Sequence, residues 1–86
     1  MSILEAVRGA ITDYLAIPSG LITEDTDLRM DIHLPPEDLK GAVRSLEVQY
    51  GIRIPEEEVL SFHRVKDMVS CVEKHLYNGN GLDREG

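Results

Sequence analysis

Apolar residues recur at intervals of three and four in separate segments of the chain, which is the spacing of amphipathic helices. The first segment opens with Ser2 and Glu5, whose spacing is that of a capping box at a helix start. It continues to about Ala16, before Pro18 interrupts it. A first helix that ends near Ala16 is therefore predicted, with an apolar stripe formed by Leu4, Val7, Ile11, Tyr14 and Leu15.

A long loop is predicted between Ile17 and Pro35, because this stretch has no sustained period and is rich in turn-forming residues. Three apolar residues are spaced along it, namely Leu21, Ile22 and Leu28. We expect these side chains to anchor the loop to the core.

The second helix is predicted to start at the Pro35-Pro36 pair, since proline is tolerated in the first turn of a helix. The acids that follow, Glu37 and Asp38, favour the positive end of the helix dipole. Gly51 suits a helix C-terminal cap. The apolar stripe between these signals consists of Leu39, Ala42, Val43, Leu46 and Tyr50.

Two further helices are predicted after a short extended connector over residues 52–55. A short third helix follows Pro55, where three consecutive glutamates complement the helix dipole. A fourth helix is predicted to end near Tyr77. The chain is thus expected to be an all-α bundle of three longer helices and one short one, with a core drawn from Leu4, Val7, Ile11, Leu15, Leu28, Val43, Leu46, Ile54, Val65, Val69 and Val72.

Composition agrees with one small globular domain. The chain has 86 residues, of which 42% are hydrophobic and 29% charged. We expect a single domain over residues 1–77 and a flexible C-terminal tail over residues 78–86. No apolar segment approaches the roughly 20 residues that cross a bilayer, and no secretory signal opens the chain, so a cytoplasmic monomer is expected. The net charge of −7 argues against a nucleic-acid partner.

Candidate chemistry is sparse. Cys71 is the only cysteine and lies on an apolar helical stripe, so we expect a buried, inert thiol. No two of the histidines His33, His63 and His75 lie four residues apart, and they are expected to be surface or cap residues, with no metal site. No phosphate loop or catalytic triad is present, and an enzyme is not expected.

Several short motifs occur in an order and spacing that resemble an acyl carrier protein, over roughly residues 3 to 77. The resemblance implies the four-helix fold of that family. The motifs are Ile22-Thr23-Glu24-Asp25-Thr26-Asp27-Leu28, Leu46-Glu47 before Tyr50-Gly51, Ile54-Pro55-Glu56-Glu57-Glu58, and Val65 with Met68 and Val69.

The family's attachment motif, typically Asp-Leu-Gly-x-Asp-Ser-Leu-Asp, aligns without gaps with residues 31–38. In the family, the serine at the start of the second helix carries phosphopantetheine. Pro36 stands at the matching position, and His33, Pro35 and Glu37 replace the glycine, aspartate and leucine. The resemblance therefore implies a carrier-like protein without a cofactor, because proline has no hydroxyl.

The family docks its enzymes through an acidic second helix, so the resemblance also implies a protein partner in fatty-acid, polyketide or related acyl biosynthesis. The expected docking residues are His33, Glu37, Asp38, Lys40, Arg44, Glu47 and Glu57. The second helix carries the acids Glu37, Asp38 and Glu47 but also the bases Lys40 and Arg44. Because the charges of this helix are nearly balanced, we expect a partner other than the usual basic enzyme patch.

Two alternatives stay open. The protein could be a genuine acyl carrier with a displaced attachment site, although none of its other serines stands in an Asp-Ser-Leu sequence. It could also hold an acyl chain non-covalently between its helices. The serines concerned are Ser19, Ser45, Ser61 and Ser70.

Overall fold

A computed structural model describes residues 2–77 of the chain. These residues form four helices and no extended strand, and none of the helices is long and apolar enough to span a bilayer. The predicted all-α bundle of three longer helices and one short one is confirmed, while the predicted tail, 78–86, lies outside the described residues. The helices are α1 (Ile3–Thr12), α2 (Pro36–Tyr50), α3 (Glu56–Leu60) and α4 (Val65–Tyr77).

The predicted capping box starts α1. The Ser2 hydroxyl accepts a hydrogen bond from the Glu5 backbone N–H at 3.1 Å, and the Glu5 carboxylate accepts one from the Ser2 N–H at 3.3 Å. The helix ends at Thr12, however, and the predicted end near Ala16 is wrong. The Tyr14 N–H bonds to the Ile11 carbonyl at 3.0 Å, three residues back, and this tighter turn ends the α-helical pattern before Pro18 is reached.

Both ends of α2 agree with the sequence signals. Pro36 occupies the first helical position, where the N–H that proline lacks has no partner within the helix. The Pro35 carbonyl accepts the Leu39 N–H at 2.9 Å and so begins the helical ladder. Gly51 ends the helix in the left-handed conformation, with φ of 66°.

The core lies where α1 packs against α2 and α4. The predicted core residues are buried, except that Leu4 and Leu15 are only half-buried at its edge. Small residues complete the packing, because they let the helices approach closely. The buried residues that were not in the predicted core include Ala6, Ala10, Leu34, Ala42, Ile52, Val59 and Met68.

Two of the three expected loop anchors are confirmed. The side chains of Ile22 and Leu28 are buried, and the Arg8 Nε donates to the Ile22 carbonyl at 2.7 Å, which ties the loop to α1. The expectation for Leu21 is wrong, because this residue is 68% exposed. It lies in a short 3-10 turn, Ser19–Leu21, that contributes no buried residue to the core.

Replacing Leu46 by alanine should lower the free energy of unfolding by about 2–4 kcal/mol, because its side chain is fully buried between the helices. Val48 lies on the same helix but is 78% exposed, so Val48→Ala should change stability by less than about 0.5 kcal/mol. Urea denaturation of both variants measures the difference. Equal losses would contradict the assigned inner face of α2.

Two glycine-to-alanine substitutions should change the stability of the protein in opposite directions. Gly51→Ala should destabilise by about 1 kcal/mol, because φ is positive there. Gly9 lies exposed within α1 with open space around its Cα, so Gly9→Ala should stabilise by about 0.5–1 kcal/mol. The Tm values of the two variants test both predictions. A higher Tm for Gly51→Ala would contradict the left-handed helix cap at Gly51.

Candidate functional site

The segment that leads into α2 is a hydrogen-bonded turn. The Asp27 Oδ1 accepts the backbone N–H groups of Arg29 and Met30 at 2.9 and 2.8 Å. The Asp31 Oδ2 in turn accepts the Asp27 N–H at 2.8 Å. The bonds from Met30 and Arg29 hold the pKa of the Asp27 carboxyl below its usual value. The turn therefore depends on ionised Asp27.

His33 has a left-handed backbone with φ of 54°, the only positive φ at a non-glycine among residues 2–77. Its N–H bonds to the Arg29 carbonyl at 3.1 Å, and the next residue, Leu34, bonds to the Leu28 carbonyl at 2.8 Å. This conformation is typical of glycine. The ungapped alignment puts the family's glycine at this position, so the backbone supports that alignment.

The position that the resemblance aligns with the family's attachment serine carries no nucleophile. Pro36 is exposed at the first position of α2, between exposed Pro35 and Glu37. A proline ring has no atom that could form a phosphodiester. The four alternative serines are all exposed and lie away from this position: Ser19 in the loop, Ser45 within α2, Ser61 after α3 and Ser70 within α4.

A cavity of about 160 Å³ opens beside Pro36, between the loop, α2 and α3. Its apolar lining comes from buried and half-buried side chains, while three exposed basic groups also border it. Such an arrangement suits a ligand with an apolar chain and an anionic end. The apolar residues include Leu28, Leu34, Leu39, Val59 and Phe62, and the basic ones are Arg29, Lys40 and His63.

The structure brings most of the expected docking residues to the surface of α2, its preceding loop and α3. Five of them are exposed, and Asp38 is half-buried. Lys40 pairs with Glu56 across the two helices at 3.3 Å. Glu47 is half-buried, and its Oε2 accepts the Ile54 N–H at 2.7 Å, which braces the connector after α2. The exposed five are His33, Glu37, Lys40, Arg44 and Glu57.

A second cluster of polar side chains joins α3 to α4. The Glu58 Oε1 lies 2.9 Å from both the Cys71 Sγ and the His75 Nε2, and its Oε2 lies 3.0 Å from the Lys74 Nζ. Bonds from Cys71, His75 and Lys74 lower the pKa of Glu58 to about 2. Burial, with the carboxylate next to it, raises the pKa of Cys71 to about 12.

This cluster corrects one expectation and confirms another. Cys71 is a buried, protonated thiol, as expected. His75 is only 7% exposed, so the expectation of a surface residue was wrong, although it does lie in the last turn of α4. The spacing of four between Cys71 and His75 on one helix was the signal that could have paired them. Glu58 enters from another helix, and no local pattern indicates it.

Replacing Asp27 by alanine should lower Tm at neutral pH, because Arg29 and Met30 lose their acceptor. The folded-state pKa of Asp27 is depressed, so its contribution is present above the unfolded pKa and is lost as pH falls below about 4. The gap in Tm between wild type and variant should therefore narrow in acid. The control Glu73→Ala removes an exposed carboxylate of α4 and should show no such narrowing.

The chain was compared with protein-family models and with individual known proteins. No protein-family model matches it, whereas several individual proteins do. The acyl carrier protein of Akkermansia muciniphila is 33% identical over 73 residues, which cover 85% of this chain and 91% of that protein. That of Solidesulfovibrio magneticus is 27% identical over 74 residues, covering 86% and 95%. That of Coprothermobacter proteolyticus is 28% identical over 75 residues, covering 87% and 92%.

These alignments cover 85–87% of the chain and 91–95% of the relatives. Proteins of this kind are carriers and not enzymes, so the expectation of a non-enzymatic protein is confirmed by the relatives. The chain belongs to the acyl carrier protein family.

Proposed function

We propose that this protein is a carrier-like interaction module that works without phosphopantetheine. It binds an enzyme or assembly of fatty-acid, polyketide or related acyl biosynthesis, as a cytoplasmic monomer. The family supplies the biosynthetic setting, since the relatives are acyl carrier proteins that align along most of their length. The proposal that the protein is a binding module and not a carrier is based on the residues at the start of α2.

The observation that carries this proposal is Pro36 at the first position of an otherwise intact α2. Hydrogen bonds hold the turn before it, and His33 has a glycine-like backbone. These features support the interpretation of this segment as the scaffold of an attachment site that lacks the attachment atom. Pro35 and Glu37 alter the two neighbouring exposed positions as well, which would weaken recognition by an attaching enzyme.

The proposed docking surface comprises the loop end at His33, the outer face of α2 and the start of α3. It presents acids at Glu37 and Glu57 and a base at Arg44, while Lys40 is paired with Glu56. Its charges are of mixed sign, so a complementary partner surface carries both acids and bases. Glu47 supports this surface through the Ile54 backbone and contributes less to docking.

A genuine carrier with a displaced attachment site is the first alternative. Ser45 is the best-placed serine for it, because it is exposed and precedes Leu46 and Glu47 as the family's serine precedes leucine and an acid. It lies in the middle of α2, nine residues after Pro36, and not at a helix start. Modification there would require a transferase that reads a different surface.

Non-covalent binding of an acyl chain is the second alternative, and the cavity beside Pro36 favours it. The apolar lining can cover a hydrocarbon chain, and Arg29, Lys40 and His63 can pair with a carboxylate or phosphate at its end. This activity is compatible with the leading proposal, because the bound chain needs no covalent link. Solvent extraction of the native protein, followed by lipid analysis, tests it directly.

Intact mass spectrometry should show an unmodified chain both after purification from the native host and after incubation with coenzyme A and a broad-specificity phosphopantetheinyl transferase. The physical reason is that Pro36 offers no nucleophile. A variant that restores the family motif by His33→Gly, Pro35→Asp, Pro36→Ser and Glu37→Leu together should gain one phosphopantetheine group.

The matched control carries the same substitutions except Pro36→Ser, and its mass should stay unchanged. Labelling of the wild type would refute the proposal, and peptide mapping would then decide whether Ser45 is the displaced site. Failure of the wild type to co-purify any biosynthetic protein from its host would also count against the docking role.

A further inference from the structure

Three side chains with different metal-binding atoms converge between α3 and α4. They are the carboxylate of Glu58, the thiol of Cys71 and the imidazole of His75, and one donor atom from each lies within 4.8 Å of the other two. We propose that Glu58, Cys71 and His75 bind a zinc ion that joins α3 to α4. This inference needs neither a docking partner nor phosphopantetheine, and so is independent of the proposed function.

The distances are close to those of a zinc site. Zinc bonds of about 2.0–2.3 Å in a tetrahedron place two donor atoms about 3.3–3.8 Å apart. Here the Glu58 Oε1 lies 2.9 Å from the Cys71 Sγ and 2.9 Å from the His75 Nε2. Movements of about an ångström or less, within side chains, convert the hydrogen-bonded cluster into a metal-bound one.

The positions of the three ligands on their helices hold the side chains close to a metal-binding arrangement before any ion binds. Cys71 and His75 are four residues apart on α4, so their side chains point from the same face of one rigid helix. Glu58 approaches from α3, and hydrogen bonds already orient its carboxylate. Both Cys71 and His75 are buried, so the ligands need little further ordering when an ion binds.

Charge and chemistry also suit zinc. A thiolate, a carboxylate and a neutral imidazole carry two negative charges, which balance one divalent ion, and the thiol proton leaves to solvent as zinc binds. Sulfur with nitrogen selects zinc over calcium or magnesium, which prefer oxygen. Lys74 contacts the other carboxylate oxygen of Glu58 at 3.0 Å and would hold the metal-free oxygen in place.

The site has an entrance and room for a fourth ligand. A shallow cavity of about 260 Å³ borders Glu58 and Cys71 and is lined also by Ser61, Ser70 and Lys74. A water molecule can reach the fourth tetrahedral position from this side. Zinc would thereby fix α3 against α4. The same short helix carries Val59, which lines the apolar cavity beside Pro36.

Titration of the tag-free, reduced wild-type protein with Co²⁺ tests the proposal. We expect an absorption band of thiolate-to-cobalt charge transfer, which Zn²⁺ abolishes by displacing cobalt. Zinc at a hundredfold excess over Kd should also raise Tm by roughly 10–20 °C. If the wild type shows neither the band nor the shift, the site does not exist.

Substitutions then identify the ligands. Cys71→Ser should remove the charge-transfer band, and His75→Gln and Glu58→Gln should each weaken zinc binding at least about tenfold. The matched controls are Glu57→Gln and His63→Gln, which change exposed residues of the same types and should retain full affinity. A folded Cys71→Ser protein that keeps the band, or controls that lose it, would overturn the assignment. Circular dichroism verifies the fold of each variant, and the wild-type spectrum decides the case if a variant is unfolded.

Discussion

Leu28 is the residue through which the loop, the start of α2 and the turn before α4 are joined. Its side chain is buried, its N–H bonds to the His63 carbonyl at 2.9 Å, and its own carbonyl accepts the Leu34 N–H at 2.8 Å. One residue thus uses both backbone groups and its side chain to connect three distant segments. The position of Pro36, two residues beyond Leu34, and of the cavity beside it follows from this connection.

Much of the fold could be predicted because its signals are local. The capping box at Ser2, the prolines before α2 and the left-handed Gly51 each act within a few residues, and each prediction was right. The end of α1 was predicted wrongly because the apolar period continues through Tyr14 and Leu15 after the helical backbone has stopped. Periodicity records which side chains approach the core, and a turn can present them as a helix does.

The candidate site could be predicted only in part, because some of its features are local to the sequence and others depend on contacts between distant residues. The absence of a serine at Pro36 is a property of the sequence, whereas the left-handed backbone of His33 is imposed by its surroundings. Glu58 lies 13 and 17 residues from Cys71 and His75, so their contact depends on how α3 packs near α4. Judged from the sequence pattern alone, the polar side chain of His75 is expected at the surface. Its hydrogen bond to Glu58 makes burial favourable instead.

The proline at the position that the resemblance aligns with the attachment serine fits the start of α2 without cost to the helix. Serine and proline are both accepted at the start of a helix, and the N–H that proline lacks is one that the helix leaves unpaired. Pro36 therefore fits the first position of α2, and the helix and the adjacent cavity form without a hydroxyl there. Because buried residues such as Leu34 and Val59 hold these elements together, the proposed docking role does not depend on a covalently attached group.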